Sequence, residues 1–346
     1  MTEINVRLVG RVGRITLTRP EALNALTASM LDEIADALAR WRNDADVALV
    51  LIDGEGERAF AAGGDIVDLY EAGERGDYNF GRRFWAREYQ LNLDIATYPK
   101  PFVALMHGFV MGGGVGVSAH GSHRIVTDST SVAMPECGIG LVPDVGGSKI
   151  LADAPGHIGE YLGTTGTRMH AGDAIYAGFA DTYVSQDRFT PLIDAIEREA
   201  SPEVIATFST PAPHAPLADV KEQIEFAFSA ATIHEVVARL EDMTTDWAAL
   251  TLKKLRAGCP LSVACAHRMI GEARQLGLRD ALMQEYRFIW RCMSEGEFIE
   301  GIRAAVIDKD RAPKWQRATL DDITTEHIAN MLAPLENDLQ LAGGAP

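Results

Sequence analysis

Positive charge is scarce in this chain of 346 residues: 32 Lys and Arg stand against 49 Asp and Glu, a formal net charge of −17. A general nucleic-acid binder normally carries a basic footprint, so no nucleic-acid partner is expected. A small anionic ligand stays open, because local Arg, Lys and helix N-termini bind phosphate on acidic proteins too. Cysteine is sparse as well. Cys137, Cys259, Cys265 and Cys292 form no CxxC pair and no zinc-like spacing, which reads as four reduced thiols in a cytoplasmic protein. No apolar run approaches the ~20 residues of a membrane span, so no membrane partner is expected. The start, Thr2-Glu3-Ile4-Asn5, lacks the basic and apolar regions of a signal peptide.

Several familiar motifs are also missing. In the run Gly112-Gly113-Gly114, Val117 occupies the third glycine position of a dinucleotide fingerprint. Gly116-Val117-Ser118-Ala119-His120 fails as a nucleophile elbow because His120 replaces the final glycine. There is no GKS/T phosphate loop. His107, His120 and His123 lack a carboxylate at ligand spacing, so no metal site is expected.

What is present reads as an α/β core followed by helices. Residues 4–18 predict a strand pair, with Gly10 and Gly13 marking its turn. Thr27 predicts the N-cap of a helix to about residue 42, its core face formed by Met30, Leu31, Ile34, Ala35, Leu38 and Trp41. The continuous apolar run 47–52 predicts a strand covered on both faces. A Gly-rich loop (61–65), a charged helical stretch (66–97) and a buried strand (102–106) follow. Residues 111–116 open a helix expected to reach Ala119. Strands at 123–127 and 131–133 then lead into a loop over 134–147. Strand–helix alternation to about residue 184 argues for an α/β core. From 187 the pattern is helical, with a Pro-rich break at 210–216 and a tail, 341–346, expected to fray.

Both glycine clusters follow buried strands. Glycine lets a backbone N–H approach a substrate carbonyl closely, and two such amides would stabilise an oxyanion. The same glycines serve tight turns and close packing equally well. Glu136 and Asp144 lie in the 134–147 loop, which has two prolines and four glycines and therefore no regular helix. Spacing alone favours a solvated Glu136 and an Asp144 that caps the helix after Gly147. Arg82, Arg83, Arg87 and Glu88 read as a solvated helix side.

Taken in order, these segments resemble the crotonase superfamily. Residues 19–26 (Arg-Pro-Glu-Ala-Leu-Asn-Ala-Leu) resemble its adenine-side coenzyme A loop, residues 60–65 its first oxyanion motif, and Gly112-Gly113-Gly114 its second. The resemblance implies a crotonase-like spiral of ββα units with a helical C-terminal region. Residues 1–184 would carry the oxyanion hole and catalytic loop, and 185–346 would complete the acyl-CoA site. It also implies that the Gly64 and Gly113 amides form the hole and that Leu23, Ala25 and Ala62 contact coenzyme A. Coenzyme A is then part of the substrate, with no separate cofactor. A homo-oligomer, trimer or hexamer, is the implied assembly.

Hydratases of this superfamily carry glutamates at positions matching Gly116 and Glu136, and this chain keeps only Glu136. It resembles instead the 3-hydroxyisobutyryl-CoA hydrolases, in residues 87–89, 111–116, 134–136, 143–147, 300–304, 307–310 and 313–315. That resemblance implies hydrolysis of a short 3-hydroxyacyl-CoA, as in valine catabolism. Glu136 and Asp144 would be catalytic, with Glu88, Gly113, Glu136 and Asp144 on the substrate. The alternatives are an enoyl-CoA hydratase or isomerase of the same fold and a non-catalytic acyl-CoA-binding protein.

Overall fold

The computed structural model describes residues 3–343. Strands β1 (Ile4–Val9) and β2 (Val12–Leu17) form an antiparallel hairpin that turns at Gly10, φ +58°. Gly13, expected in that turn, lies inside β2 instead. There a Cβ would stand 2.5 Å from the Trp41 ring, so the glycine makes room for a helix. Three strand pairs follow: β3 (Leu49–Gly54) with β4 (Ala59–Ala61), β5 (Phe102–Met106) with β6 (Phe109–Met111), and β7 (His123–Val126) with β8 (Ser131–Ala133). The first of each pair joins a sheet of order β1-β2-β3-β5-β7-β9, closed by β9 (Thr182–Tyr183). The second joins a sheet of order β4-β6-β8. Every pairing after the hairpin is parallel. The chain thus advances one strand in both sheets per repeat. This is the spiral of ββα units expected.

Helix α1 (Ala28–Trp41) starts where Thr27 accepts from Met30 N at 3.3 Å. It buries Met30, Leu31, Ile34, Ala37, Leu38 and Trp41; Ala35, expected on that face, is only half-buried. The 66–97 stretch is two helices, α2 (Ile66–Glu74) and α3 (Tyr78–Ala96), separated at Gly76, φ +74°. In β3, Val50 and Ile52 enter the main core, while Leu49 and Leu51 meet Leu192 and Ile196 of the helix Phe189–Glu199 on the other face. Cover on both sides explains the unbroken apolar run.

After β9 the described chain is helical, from a turn at Gln186–Arg188 to the helix Thr325–Leu332. The main core takes in Ile4 at one end of the sequence and Leu341 at the other. Leu341 and Ala342 do not fray. Arg279 donates to the Leu341 carbonyl, and Ala342 exchanges hydrogen bonds of 2.7 and 3.0 Å with Gln90. Residues 344–346 lie outside the described residues. Among the described residues no helix is long and apolar enough to cross a membrane.

Candidate active site

Two backbone turns at the ends of β4 and β6 bring glycine amides together. The loop 62–65 is held by Leu26 N donating to Gly63 O at 2.8 Å and Asp65 N donating to Leu26 O at 2.8 Å, which leaves the Gly64 amide unused. After β6, Gly112 takes φ +49° and starts helix α4 (Gly113–Gly116), a single turn that ends three residues short of the expected Ala119. Gly113 is its first residue, so its N–H has no acceptor in the turn before it. Neither the Gly64 nor the Gly113 amide donates to backbone among the described residues. A Cβ on Gly113 would stand 3.4 Å from Gly64 N and 2.5 Å from Glu88 Oε1. Only glycine leaves this spot open to a ligand.

Three carboxyls line the same cleft, which is walled by Ala62, Gly64, Trp85, Gly113, Ile139 and Phe298. Glu88, Glu136 and Asp144 are 2%, 5% and 4% exposed, so the readings of Glu88 and Glu136 as solvated side chains are overturned. Of the charged residues read as that solvated side, Arg83 and Arg87 are exposed and Arg82 half-buried, while Trp85, Glu88, Tyr89 and Asn92 face inward. Glu136 opens a short helical turn (Glu136–Ile139) after Pro135, and its Oε1 reaches within 3.0 Å of where a Gly112 Cβ would be. Asp144 is not a cap either. Gly146 takes that position on helix α5 (Gly147–Ala152), and Asp144 Oδ2 instead accepts the Tyr89 hydroxyl at 3.0 Å.

Burial pushes the Glu88 and Glu136 carboxyls well above the usual carboxylate range, with the Asp144 charge acting in the same sense. Burial also pushes Asp144 up to about 7, against the lowering effect of the Tyr89 hydrogen bond. Glu88 Oε1 and Glu136 Oε2 are buried without a hydrogen-bond partner. Unpartnered buried oxygens cost free energy, and such atoms gather where a substrate supplies the missing partner. Two free amides beside three buried carboxyls suit attack on a polarised carbonyl.

A family model described as enoyl-CoA hydratase/isomerase matches residues 12–332. The chain belongs to that family. It is 38% identical over 356 residues to a 3-hydroxyisobutyryl-CoA hydrolase, mitochondrial, from Danio rerio, covering 98% of this chain and 92% of that protein. A crystal structure described as an enoyl-CoA hydratase from Rhodobacter sphaeroides is 48% identical with a TM-score of 0.94, covering 98% of this chain and all of that one. One described as a carnitinyl-CoA dehydratase from Mycobacterium thermoresistibile is 38% identical with a TM-score of 0.95, covering 99% and 100%.

Position 116 is where the resemblance sets the second glutamate of the hydratases. A Cβ on Gly116 would stand 2.7 Å from Asn92 Nδ2 and 2.9 Å from Val145 Cβ, so no second glutamate fits there. The loop 19–26, expected on coenzyme A, is tied to the strand end at 59–62. Leu23 O accepts from Ala62 N at 3.0 Å, and buried Asn24 ties the loop to Glu55 O and Ala59 O at 3.0 and 2.9 Å. Ala62 lines the cleft, with Leu23 and Ala25 half-buried beside it.

Sequence reading missed Tyr89, which bonds Asp144, and Asn92, which is buried beside Gly116. A signal for both existed: Trp85, Glu88, Tyr89 and Asn92 fall at i, i+3, i+4 and i+7, one helix face. Glu285, whose carboxylate accepts from Gly146 N at 2.8 Å and Ser148 N at 3.0 Å, carried no local signal. His120 and His123 are engaged elsewhere, with the Val145 carbonyl and the Ser122 hydroxyl. Among the described residues no three or more His, Cys, Asp or Glu side chains gather as metal ligands.

Proposed function

We propose that this chain hydrolyses the thioester of 3-hydroxyisobutyryl-CoA, or of a related short 3-hydroxyacyl-CoA, to the free acid and coenzyme A. The observation that carries the reading is a cleft with three buried carboxyls around two free amides and no space for a second glutamate at Gly116. The 3-hydroxyisobutyryl-CoA hydrolase name of the zebrafish relative supports the same reading. Four buried free thiols suit a reducing compartment, in keeping with a cytoplasmic protein.

In this proposal the thioester oxygen lies between the Gly64 and Gly113 amides, where negative charge builds as the carbonyl is attacked. Glu136 acts in its ionised form by one of two routes. As a nucleophile it adds to the acyl carbon, expels coenzyme A as the thiol after proton transfer, and leaves a mixed anhydride that water cleaves. As a general base it takes a proton from the attacking water and returns it to the departing sulfur. Asp144 aids that proton transfer, and Glu88 meets the 3-hydroxyl group. Oxygen-18 from labelled water entering Glu136, or hydroxylamine capture of an acyl-enzyme, identifies the covalent route.

The crystal structures described as a hydratase and a dehydratase favour a second reading, alkene hydration. Parallel assays separate the two. Release of coenzyme A from 3-hydroxyisobutyryl-CoA with no hydration of crotonyl-CoA is the expected result. Hydration without thiol release would replace the hydrolase reading.

A further inference from the structure

The loop that carries Asp144 is held in a costly conformation. Val145 is β-branched, 1% exposed and sits at φ +54°, in the left-handed region that such side chains avoid. A residue stays there only when its surroundings over-determine it. Two buried groups that the proposed chemistry does not use take hold of the peptide that follows it, Val145–Gly146.

His120, just past the single turn of α4, bonds through Nε2 to the Val145 carbonyl at 2.7 Å. Burial pushes its pKa down to about 4, so the ring is neutral and Nε2–H is the donor. Glu285, on the helix Leu278–Cys292, is 0% exposed. Its Oε2 accepts from Gly146 N at 2.8 Å; its Oε1 accepts from Ser148 N at 3.0 Å and from the Ser148 hydroxyl. Gly146 offers no side chain to cap α5, and Glu285 satisfies those donors from outside. The fit is close on all sides. A Cβ on Gly146 would stand 2.7 Å from His120 Nε2 and 2.6 Å from Leu278 Cδ1, and one on Gly116 would stand 2.9 Å from Val145 Cβ.

The segment just after α4 and the helix 278–292 therefore grip one peptide, Val145–Gly146, that begins one residue after Asp144. We infer that His120 and Glu285 are positioning residues that fix the Asp144 carboxyl relative to the Gly113 amide. This inference rests on the hydrolase reading for its kinetic effect, though not for its geometry.

The test compares the wild type with His120→Leu, His120→Gln, Glu285→Gln and Ser148→Ala in coenzyme A release. Crystal structures of His120→Gln, His120→Leu and Ser148→Ala accompany the kinetics. His120→Leu removes the donor and is expected to lower kcat about 10- to 100-fold, the scale of a misplaced catalytic group, with KM within about threefold. His120→Gln restores an amide donor and is expected to recover most of the rate. Glu285→Gln turns a donor toward one of the peptide amides and is expected to behave like His120→Leu. Ser148→Ala keeps both amide bonds and is expected to cost less. In the His120→Leu crystal, Asp144 should move away from Tyr89 while α4 stays in place.

Unchanged kcat in His120→Leu, or an equal loss in His120→Gln, overturns the inference. So does an Asp144 that stays in place in the His120→Leu crystal. Should His120→Leu and Glu285→Gln fail to fold, the His120→Gln and Ser148→Ala crystals decide. A Val145 carbonyl that still accepts from the introduced side-chain amide in His120→Gln, with a small Asp144 shift in Ser148→Ala, supports the clamp. Any other arrangement sinks it. A wild type that releases no coenzyme A overturns the hydrolase reading instead, and the crystals still judge the clamp.

Discussion

The Tyr89 hydroxyl donates to Asp144 Oδ2 at 3.0 Å, joining helix α3 to the loop after β8 inside the cleft. It is a hydrogen bond that stabilises the ionised form of a carboxyl whose burial favours the protonated form. Tyr89→Phe removes it without changing the ring. The Asp144 proton is then held more tightly, so the rising limb of the kcat–pH profile should move to higher pH. An unshifted limb would remove Asp144 from the step it reports.

The sign of the stability effect follows from the same group. Asp144 is raised to about 7 in the folded chain, whereas an unfolded aspartate titrates near 4 (about 3.9). Between these values the folded state binds more protons than the unfolded one, so stability falls as pH rises from about 4 to about 7. Asp144→Asn cannot ionise. Its Tm should exceed that of the wild type by roughly 2–5 °C at pH 8, the gap closing toward pH 4, while turnover is lost. Thermal melts across that range check it, and a lower Tm at pH 8 would contradict the burial argument.

Glu136→Gln keeps the shape of the side chain and removes its charge and its nucleophilic oxygen. Coenzyme A release should fall about 100-fold or more, the scale of a lost acid–base group. Affinity for a non-hydrolysable thioether analogue, measured by calorimetry, should change little.

Gly113→Ala would set a methyl 2.5 Å from Glu88 Oε1 and 3.3 Å from Leu26 Cδ1. Glu88 or the amide must shift, and kcat/KM should drop at least about 10-fold. Comparison of substrates with and without the 3-hydroxyl identifies which group moved. A loss confined to the hydroxylated substrate points to Glu88.

Gly116→Glu should not create a hydratase. The side chain has no space beside Asn92 and Val145, and overpacking of this kind costs about 1–3 kcal/mol before any buried charge is counted. The expected variant melts earlier and leaves crotonyl-CoA unchanged. Hydration by this single substitution would show that position 116 alone divides the two chemistries.

Local pattern carried the elements and the glycine loops far into the sequence reading. The strand Phe102–Met106 and the Thr27 cap were read directly from apolar patterning and capping chemistry. Several of the missed points depended on partners distant in sequence. Gly13 serves Trp41, the tail is tied down by Gln90 and Arg279, and Glu88 is buried although its neighbour Arg87 pairs with Asp32 at the surface.

By itself, the amino-acid order determined the alternation of strands and helices and the two glycine clusters that follow buried strands. Those features arise from backbone freedom and apolar spacing within a few residues. Tertiary structure alone decided that Glu88, Glu136 and Asp144 share one cleft, and that Glu285 reaches the loop from 139 residues beyond Gly146. The proton affinity of a carboxyl depends on what surrounds it in space, and here the cleft walls come from five separate stretches of chain.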